Sequence, residues 1–298
     1  MATRHNTVYI PVGDHSIAGT LVAPDSVIPG VMLVHGWDGS QEQYIERAHE
    51  IAALGCICLT FDLQGHAKDR ARRETVTRED NLRDMLAAYD LLVGHPAVDG
   101  SAVAVAGSSY GAYLAAVMCA LRPVRWLSLR APALYKDEDW AVPKFQLRRD
   151  ELQAYRASVV TAQHNRALAA SAQFRGDVLI VESENDHLVP HTVIQNYRNA
   201  FGHAHSMTTR TIKGADHGLT QDAWNQSYTR ILVHWIGEMV RGAKEEAKQA
   251  AERDRAQVAA PMHAASAAAA ATAAASGSAR AAMADKPPPA AASGVAAR

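Results

Sequence analysis

Short apolar runs alternate with amphipathic helical segments along most of the chain. Residues 31–34, 103–106 and 178–181 form apolar runs typical of strands that are buried on both faces. Further strands are predicted at residues 7–12, 17–23, 56–61, 126–129 and 207–212, the first two forming a hairpin around Gly13-Asp14. Helical patterns lie between the later strands. This alternation predicts an α/β fold, in which a mostly parallel sheet carries helices on both faces.

Two of the helices carry start signals in the sequence. Ser40 with Gln43, and Thr77 with Asp80, have the spacing of a capping box, and Gly55 ends the first of these helices. The second helix is predicted to run to residue 94. Its apolar side chains fall on one stripe: Leu82, Met85, Leu86, Tyr89 and Leu92. A third helix is predicted over residues 109–121.

The composition changes near residue 258. Residues 259–298 are mostly alanine, with scattered serine and glycine and three consecutive prolines from Pro287. Alanine favours helix, but the segment has no large apolar side chains with which to bury a face. We therefore predict one α/β domain over residues 1–258 and a disordered or transiently helical tail over residues 259–298.

Charge and cysteine content narrow the class of protein. The formal net charge is −1, which gives no electrostatic reason to expect nucleic acid or an anionic membrane as a partner. Cys56, Cys58 and Cys119 stand in apolar runs without the spacing of a disulfide framework. No apolar run reaches the length of a membrane span, and the first residues lack the apolar core of a signal peptide. We expect a cytoplasmic protein.

The most informative motif follows the strand at residues 103–106. Residues 107–111 read GSSYG, the G-x-S-x-G pattern, between a predicted strand and a predicted helix. Small residues on both sides let the backbone turn sharply, so that Ser109 projects from the turn. The free N–H groups of the helix N-terminus favour an anion beside this serine. Ser109 is therefore the candidate nucleophile, the alternative being a tight turn with an idle serine.

A serine nucleophile needs a base and a group that orients the base. Of fourteen histidines, His217 lies in the loop after the last predicted strand. Asp186 follows the strand at residues 178–181 and is the candidate orienting carboxylate. The order Ser109, Asp186, His217 is the order that G-x-S-x-G hydrolases use. The rival carboxylates are Glu182, Glu184, Asp137, Glu138 and Asp139.

Two backbone amides are candidates for an oxyanion hole. One is the N–H of Tyr110, directly after the nucleophile. The other is the N–H of Trp37, in the loop after the strand at residues 31–34, where Gly36 lets the backbone turn inward.

Five motifs in order resemble those of the α/β-hydrolase family. They are HGWDGS at residues 35–40, DLQGH at 62–66, GSSYG at 107–111, SENDHLVP at 183–190 and GADHG at 214–218. The resemblance covers about residues 7–240. Within the family, the chain is similar to dienelactone-hydrolase-like esterases and to the catalytic domain of prolyl-oligopeptidase-type peptidases. It implies an α/β-hydrolase with a mostly parallel eight-stranded sheet. Dienelactone hydrolases use a cysteine where this chain has Ser109, which argues against that activity.

The same resemblance implies a short helical lid. The family inserts a segment between the strands that are predicted here at residues 126–129 and 178–181. In this chain the segment is residues 136–176, and Trp140 and Phe145 are candidates to line an acyl pocket. The alternative is a crossover helix with core aromatics. Four cations after the strand at residues 56–61 either hold an anionic substrate group or form a solvated loop: Lys68, Arg70, Arg72 and Arg73.

Taken together, these residues predict a serine hydrolase that cleaves carboxylic esters or thioesters through an acyl-enzyme. The rival activities are a peptidase or amidase with the same three residues and, from another class, a non-catalytic binding protein. No spaced cluster of metal ligands and no nucleotide-binding pattern is present, so we expect no metal and no cofactor. The expected partner is a small ester or thioester.

Overall fold

The computed structural model describes the backbone of residues 3–12, 15–24 and 28–283 and the side chains of residues 28–253. It divides into two compact units, Met1–Glu245 and Glu246–Arg298. The first unit contains all the strands. The last helix extends to Met283, so its backbone is helical well into the alanine-rich segment. The prolines from Pro287 lie outside the described residues, and the disordered tail stays a prediction.

Strands and helices alternate as the sequence pattern predicts. The strands are β1 Thr3–Val12, β2 His15–Pro24, β3 Pro29–Val34, β4 Ile57–Thr60, β5 Asp99–Ser108, β6 Trp126–Arg130, β7 Asp177–Ser183 and β8 Ser206–Ile212. The helices are α1 Glu42–Ala52, α2 Arg78–Val93, α3 Tyr110–Met118, α4 Arg149–Arg156, α5 Arg166–Gln173, α6 His191–Ala200 and α7 Asp222–Met283. Short 3₁₀ helices lie at Ala67–Arg72, Lys144–Gln146 and Ala162–His164.

Among the described residues the central sheet has six strands, so the predicted eight-stranded sheet is not confirmed. Its order is β4-β3-β5-β6-β7-β8, and every neighbouring pair is parallel. The remaining strands, β1 and β2, form a separate antiparallel pair. The predicted turn at Gly13-Asp14 falls outside the described residues. The α/β fold class itself is confirmed.

The topology brings two loops together at one edge of the sheet. Strand β4 lies on one side of β3, and the chain then crosses to place β5 on the other side. The carboxyl ends of β3 and β5 therefore flank a topological switch point, where open parallel sheets bind their ligands. The loop at residues 35–40 follows β3, and Ser109 follows β5.

Alternating side chains of the strands build two cores. Met32 and Val34 pack on one face of the sheet, in the core that contains α2, α3 and α6. Val31 and Leu33 pack on the other face, against α1 and the first turns of α7. This alternation is the period of two that a strand imposes on its side chains. The short apolar runs are strands covered on both sides, as predicted.

One predicted helix start is confirmed and the other is wrong. Thr77 and Asp80 form a reciprocal capping box at the start of α2. Helix α1 begins after Gln41 rather than at Ser40, without a side-chain cap. Asp62 instead holds the start of this helix, because it accepts hydrogen bonds from the Gln41 backbone N–H at 2.8 Å and from its side-chain amide at 3.0 Å.

Candidate active site

Ser109 lies in a sharp turn between β5 and α3. Its φ of 52° and ψ of −110° are strained for a residue with a side chain. A Cβ on Gly107 would lie 2.6 Å from backbone atoms of Gly111 and Ala112. A Cβ on Gly111 would lie 2.8 Å from the carbonyl oxygen of Val34. Both glycines are therefore needed for the backbones to pass, as the motif predicts.

The structure brings Ser109, His217 and Asp186 into one hydrogen-bonded row. The Oγ atom of Ser109 lies 2.8 Å from Nε2 of His217. The Nδ1 atom of His217 lies 2.6 Å from Oδ2 of Asp186. The second oxygen of Asp186 accepts from the backbone N–H groups of Leu188 and Val189 at 2.9 and 2.8 Å. The carboxylate is thus fixed on one side by backbone donors and turned toward the imidazole on the other.

The rival carboxylates have other contacts. Glu182 lies 2.6 Å from Nδ1 of His191, and Glu184 accepts from the N–H of Gly214 at 2.7 Å. Asp137 accepts from the backbone and side chain of Arg166. The remaining two rivals, Glu138 and Asp139, lie near Asp137 at the start of the segment between β6 and β7. Of this set, Asp186 is the carboxylate hydrogen-bonded to His217.

A cavity of about 320 Å³ opens beside Ser109. Its walls come from the loop after β3, from α1, from the end of β6, from the loop after β8 and from the start of α7. Among the residues that line it are Gly36, Trp37, Ser109, Arg130, His217 and Tyr228. The cavity gives a ligand direct access to the serine hydroxyl and the imidazole.

His35 fixes the loop that carries Trp37. Its Nε2 accepts from the backbone N–H of Leu63 at 3.1 Å, and its Nδ1 lies 2.7 Å from the carbonyl oxygen of Gly36. Burial lowers the pKa of His35, which favours the neutral ring that these two contacts require. A Cβ on Gly36 would touch Ser109 at 3.4 Å, so the loop passes directly against the serine turn. Trp37 and Tyr110 are neighbours there, with ring centroids 5.3 Å apart.

The structure does not bring Trp140 and Phe145 to this cavity. The guanidinium of Arg166 lies 3.9 Å from the ring centroid of Trp140. Phe145 is 51% exposed and faces Arg73. The segment between β6 and β7 does contain short helices, as expected for a lid, but its two aromatic candidates point elsewhere. Tyr44 and Tyr228 supply aromatic surface in the cavity instead.

Arg130 is a residue near the site that the sequence analysis missed. It ends β6, where its guanidinium donates to the carbonyl oxygen of His217 at 2.8 Å and to Oγ of Ser108 at 3.1 Å. It therefore ties the histidine loop to the serine turn. The available signal was a charged residue at the end of an otherwise apolar strand.

The four cations after β4 are mostly exposed to solvent, and two of them lie near a carboxylate. Residues 67–72 form a 3₁₀ helix on the surface, where Arg72 lies near Asp69. Arg73 forms an ion pair of 2.6 Å with Asp38. Most of this cluster is therefore a solvated loop, the second of the two alternatives.

The described residues contain neither a candidate metal cluster nor a candidate membrane-spanning helix. Among them, no group of three or more histidine, cysteine, aspartate or glutamate side chains is placed to hold a metal ion. No helix within that same part of the chain combines the length and the apolar character needed to cross a bilayer.

Comparison with known proteins identifies the family. The model of the Alpha/beta hydrolase family matches residues 31–231, well over half of the chain, and the chain belongs to this family. An uncharacterized protein of Mycobacterium tuberculosis is 28% identical over 167 residues. The chain spans about half the length of this curated relative, 55% of each being matched.

Solved structures share the fold. A monoacylglycerol lipase of Paleococcus ferrophilus superposes with a TM-score of 0.54 and 17% identity, over 80% of this chain and 100% of that one. A Pyrococcus furiosus esterase gives a TM-score of 0.52 and 18% identity, over 80% and 92%. A lipolytic enzyme from a metagenome gives 0.55 and 19%, over 72% and 96%. At these identities the likeness is one of fold.

Proposed function

We propose that this protein hydrolyses carboxylic esters or thioesters, with Ser109 as nucleophile, His217 as general base and Asp186 as the orienting carboxylate. The observation that carries the proposal is the continuous row of hydrogen bonds from Ser109 Oγ through the imidazole to Asp186. The lipases and esterases among the structural neighbours are consistent with this chemistry.

Each of the three residues has its own role in forming and then hydrolysing the acyl-enzyme. Nε2 of His217 takes the hydroxyl proton as Ser109 Oγ attacks the carbonyl carbon of the ester. Asp186 accepts from Nδ1–H and stabilises the imidazolium that forms. His217 then gives the proton to the leaving alcohol or thiol. Water attacks the resulting acyl-enzyme by the same route, releasing the acid and restoring Ser109.

The backbone N–H groups of Tyr110 and Trp37 form the oxyanion hole in this proposal. Tyr110 is the first residue of α3, where an N–H has no acceptor within its own helix. The loop with Trp37 is held against the serine turn by His35 and Gly36. Each such donor contributes on the order of 10²–10³-fold in turnover.

A p-nitrophenyl butyrate assay tests the proposal. We expect Ser109→Ala to lower turnover by about 10⁴–10⁶-fold while leaving the thermal unfolding midpoint nearly unchanged. Ser158→Ala, at an exposed serine that does not line the cavity, is the control and should keep wild-type turnover. Equal turnover by wild type and Ser109→Ala would remove the nucleophile. Faster cleavage of aminoacyl p-nitroanilides than of esters would instead indicate a peptidase or amidase.

The cysteine chemistry supports a further part of the proposal, a reducing compartment such as the cytoplasm. Cys56, Cys58 and Cys119 are free thiols. Burial raises the pKa of Cys56 to about 11 and that of Cys58 to about 12, so both stay protonated and unreactive. They behave as small core residues.

A further inference from the structure

Arg78 is fully buried without a hydrogen-bonding partner. It is the first residue of α2 and has 0% of its surface exposed. All three of its guanidinium nitrogens lack an acceptor in the part of the chain that the structure describes. A cation buried without hydrogen-bond acceptors is unfavourable because it has lost its water, so such an arrangement points to a ligand that supplies the missing acceptors.

Two further cations share its surroundings. The guanidinium carbons of Arg78 and Arg156 lie 5.2 and 5.0 Å from the ring centroid of Tyr135, and the Lys144 ammonium lies 5.9 Å from it. Arg156 donates to the carbonyl oxygens of Leu134 and Leu188. Within the described residues, none of the three cations has a carboxylate at ion-pair distance.

The electrostatic balance around Lys144 is positive. Its neighbouring charges are Arg156, Arg73, Arg78 and a single carboxylate, Asp38. That carboxylate is half exposed and already paired with Arg73. Burial, together with the neighbouring cations, lowers the pKa of Lys144 to about 7. A bound anion would offset this excess of positive charge.

The cluster is linked to the surroundings of Ser109 through Trp37 and Tyr110. The Lys144 ammonium is 4.1 Å from the ring centroid of Trp37 and 5.7 Å from that of Tyr110, the residue that follows Ser109. Its backbone N–H donates to the carbonyl oxygen of Val76 at 3.4 Å, which docks the segment from between β6 and β7 near the start of α2. Trp37 also lines the cavity at Ser109.

We propose that Arg78 and Lys144 bind a carboxylate carried by the ester substrate, so that the enzyme prefers esters with a second, anionic group. This inference rests on the proposed function and names its substrate class. Lys144 is partly exposed and Arg78 is fully buried, so in this proposal the ammonium is the outer and the guanidinium the inner contact of the carboxylate. The planar guanidinium can then donate two parallel hydrogen bonds to the carboxylate.

A matched pair of substrates tests this preference. Mono-p-nitrophenyl glutarate carries a carboxylate, and its methyl ester has a similar length without the charge. We expect kcat/KM of the wild type to favour the carboxylate by on the order of 10–100-fold. The ratio should fall at least tenfold in Lys144→Met and in Arg78→Met. Arg83→Met, an exposed arginine on the same helix, is the control that keeps the wild-type ratio.

The pH dependence gives an independent readout. Effects of pH on the chemical step are common to both substrates and cancel in the ratio of the two kcat/KM values, so the ratio isolates the anion site. The ratio should decline between pH 6 and pH 8.5 in the wild type as Lys144 loses its proton. It should persist to pH 8.5 in Lys144→Arg, since a guanidinium remains charged.

A ratio near one in the wild type, or a ratio unchanged in both methionine variants, would overturn the inference while leaving the proposed function intact. Absence of hydrolysis of both esters would count against the proposed function instead. In that case the anion site is tested by ligand binding, measured as the thermal unfolding midpoint of Ser109→Ala. Glutarate should raise this midpoint and glutaramide should not. The rise should be absent from the double variant that also carries Lys144→Met. A rise with inorganic phosphate but not with glutarate would mean a site for free anions and would also overturn the inference.

Discussion

Replacing Asp186 with asparagine tests how the hydrogen bonds of the site fix the imidazole. Leu188 and Val189 donate their N–H groups to one carboxylate oxygen of Asp186. The asparagine oxygen must take that position, because its NH₂ group would face two donors there. The NH₂ group then points at Nδ1 of His217 and forces this nitrogen to act as an acceptor. The ring proton moves to Nε2, and Ser109 loses its base.

The size of the effect follows from this geometry. A wrong tautomer at an otherwise intact site costs about 10⁴-fold in turnover, which corresponds to about 5.4 kcal/mol in the activation barrier. The two backbone hydrogen bonds survive, so the thermal midpoint should change little. The assay is kcat/KM for p-nitrophenyl butyrate in Asp186→Asn. Glu182→Gln is the control, since Glu182 faces the exposed His191.

Activity of Asp186→Asn within tenfold of the wild type would refute the reasoning, provided that Ser109→Ala is inactive in the same assay. It would mean that another group orients His217. A large loss of activity in Glu182→Gln would contradict the assignment in the same way.

Two predictions concern stability. Gly107→Ala should lower the free energy of unfolding by about 1–3 kcal/mol or prevent folding, because the new Cβ meets backbone atoms at 2.6 Å; a wild-type urea midpoint would contradict the close approach. Lys144→Met should raise the free energy of unfolding by about 1–4 kcal/mol at pH 6. The pKa of Lys144 in the wild type is about 7 in the folded chain and near 10.4 when unfolded. The destabilisation by its buried charge is therefore complete below pH 7 and disappears toward pH 10.4. Equal stabilisation at pH 6 and pH 10 in urea titrations would argue against a buried ammonium.

The sequence was sufficient to predict the residues that meet at the carboxyl edge of the sheet. Because parallel strands all end at one edge, residues that follow strands must lie near one another, and this places Ser109, Asp186 and His217 together. The family model independently supports the fold class. The roles of these residues remain proposals that the experiments above address.

Features that depend on contacts between residues far apart in the chain could not be predicted from the local sequence pattern. The number of strands in the main sheet could not be predicted, because the hairpin pattern of β1 and β2 does not show which sheet the hairpin joins. Ser40 has the local spacing of a helix start, but the distant Asp62 holds Gln41 instead. The residue type of Phe145 and its place in the chain predict a pocket residue, but neither of these fixes the direction of its side chain.

The sequence pattern around Arg78 already indicates that this residue lies on the buried face of α2. It lies four residues before Leu82, at the head of the buried stripe that continues through Met85 and Tyr89. Helical periodicity therefore already places it on the buried face. A charged residue on such a stripe needs a partner, yet the carboxylates beside it in the sequence, Glu79 and Asp80, leave its guanidinium nitrogens without an acceptor among the described residues.

Labelling with a fluorophosphonate probe tests the central claim most directly, since the probe reacts with an activated serine. Intact-mass measurement followed by peptide mapping should find one adduct per chain, located on Ser109. The adduct should be absent from Ser109→Ala and strongly reduced in a His217→Ala variant. A folded wild-type chain that stays unlabelled, or an adduct on another residue, would contradict the hydrogen-bonded row as a catalytic device.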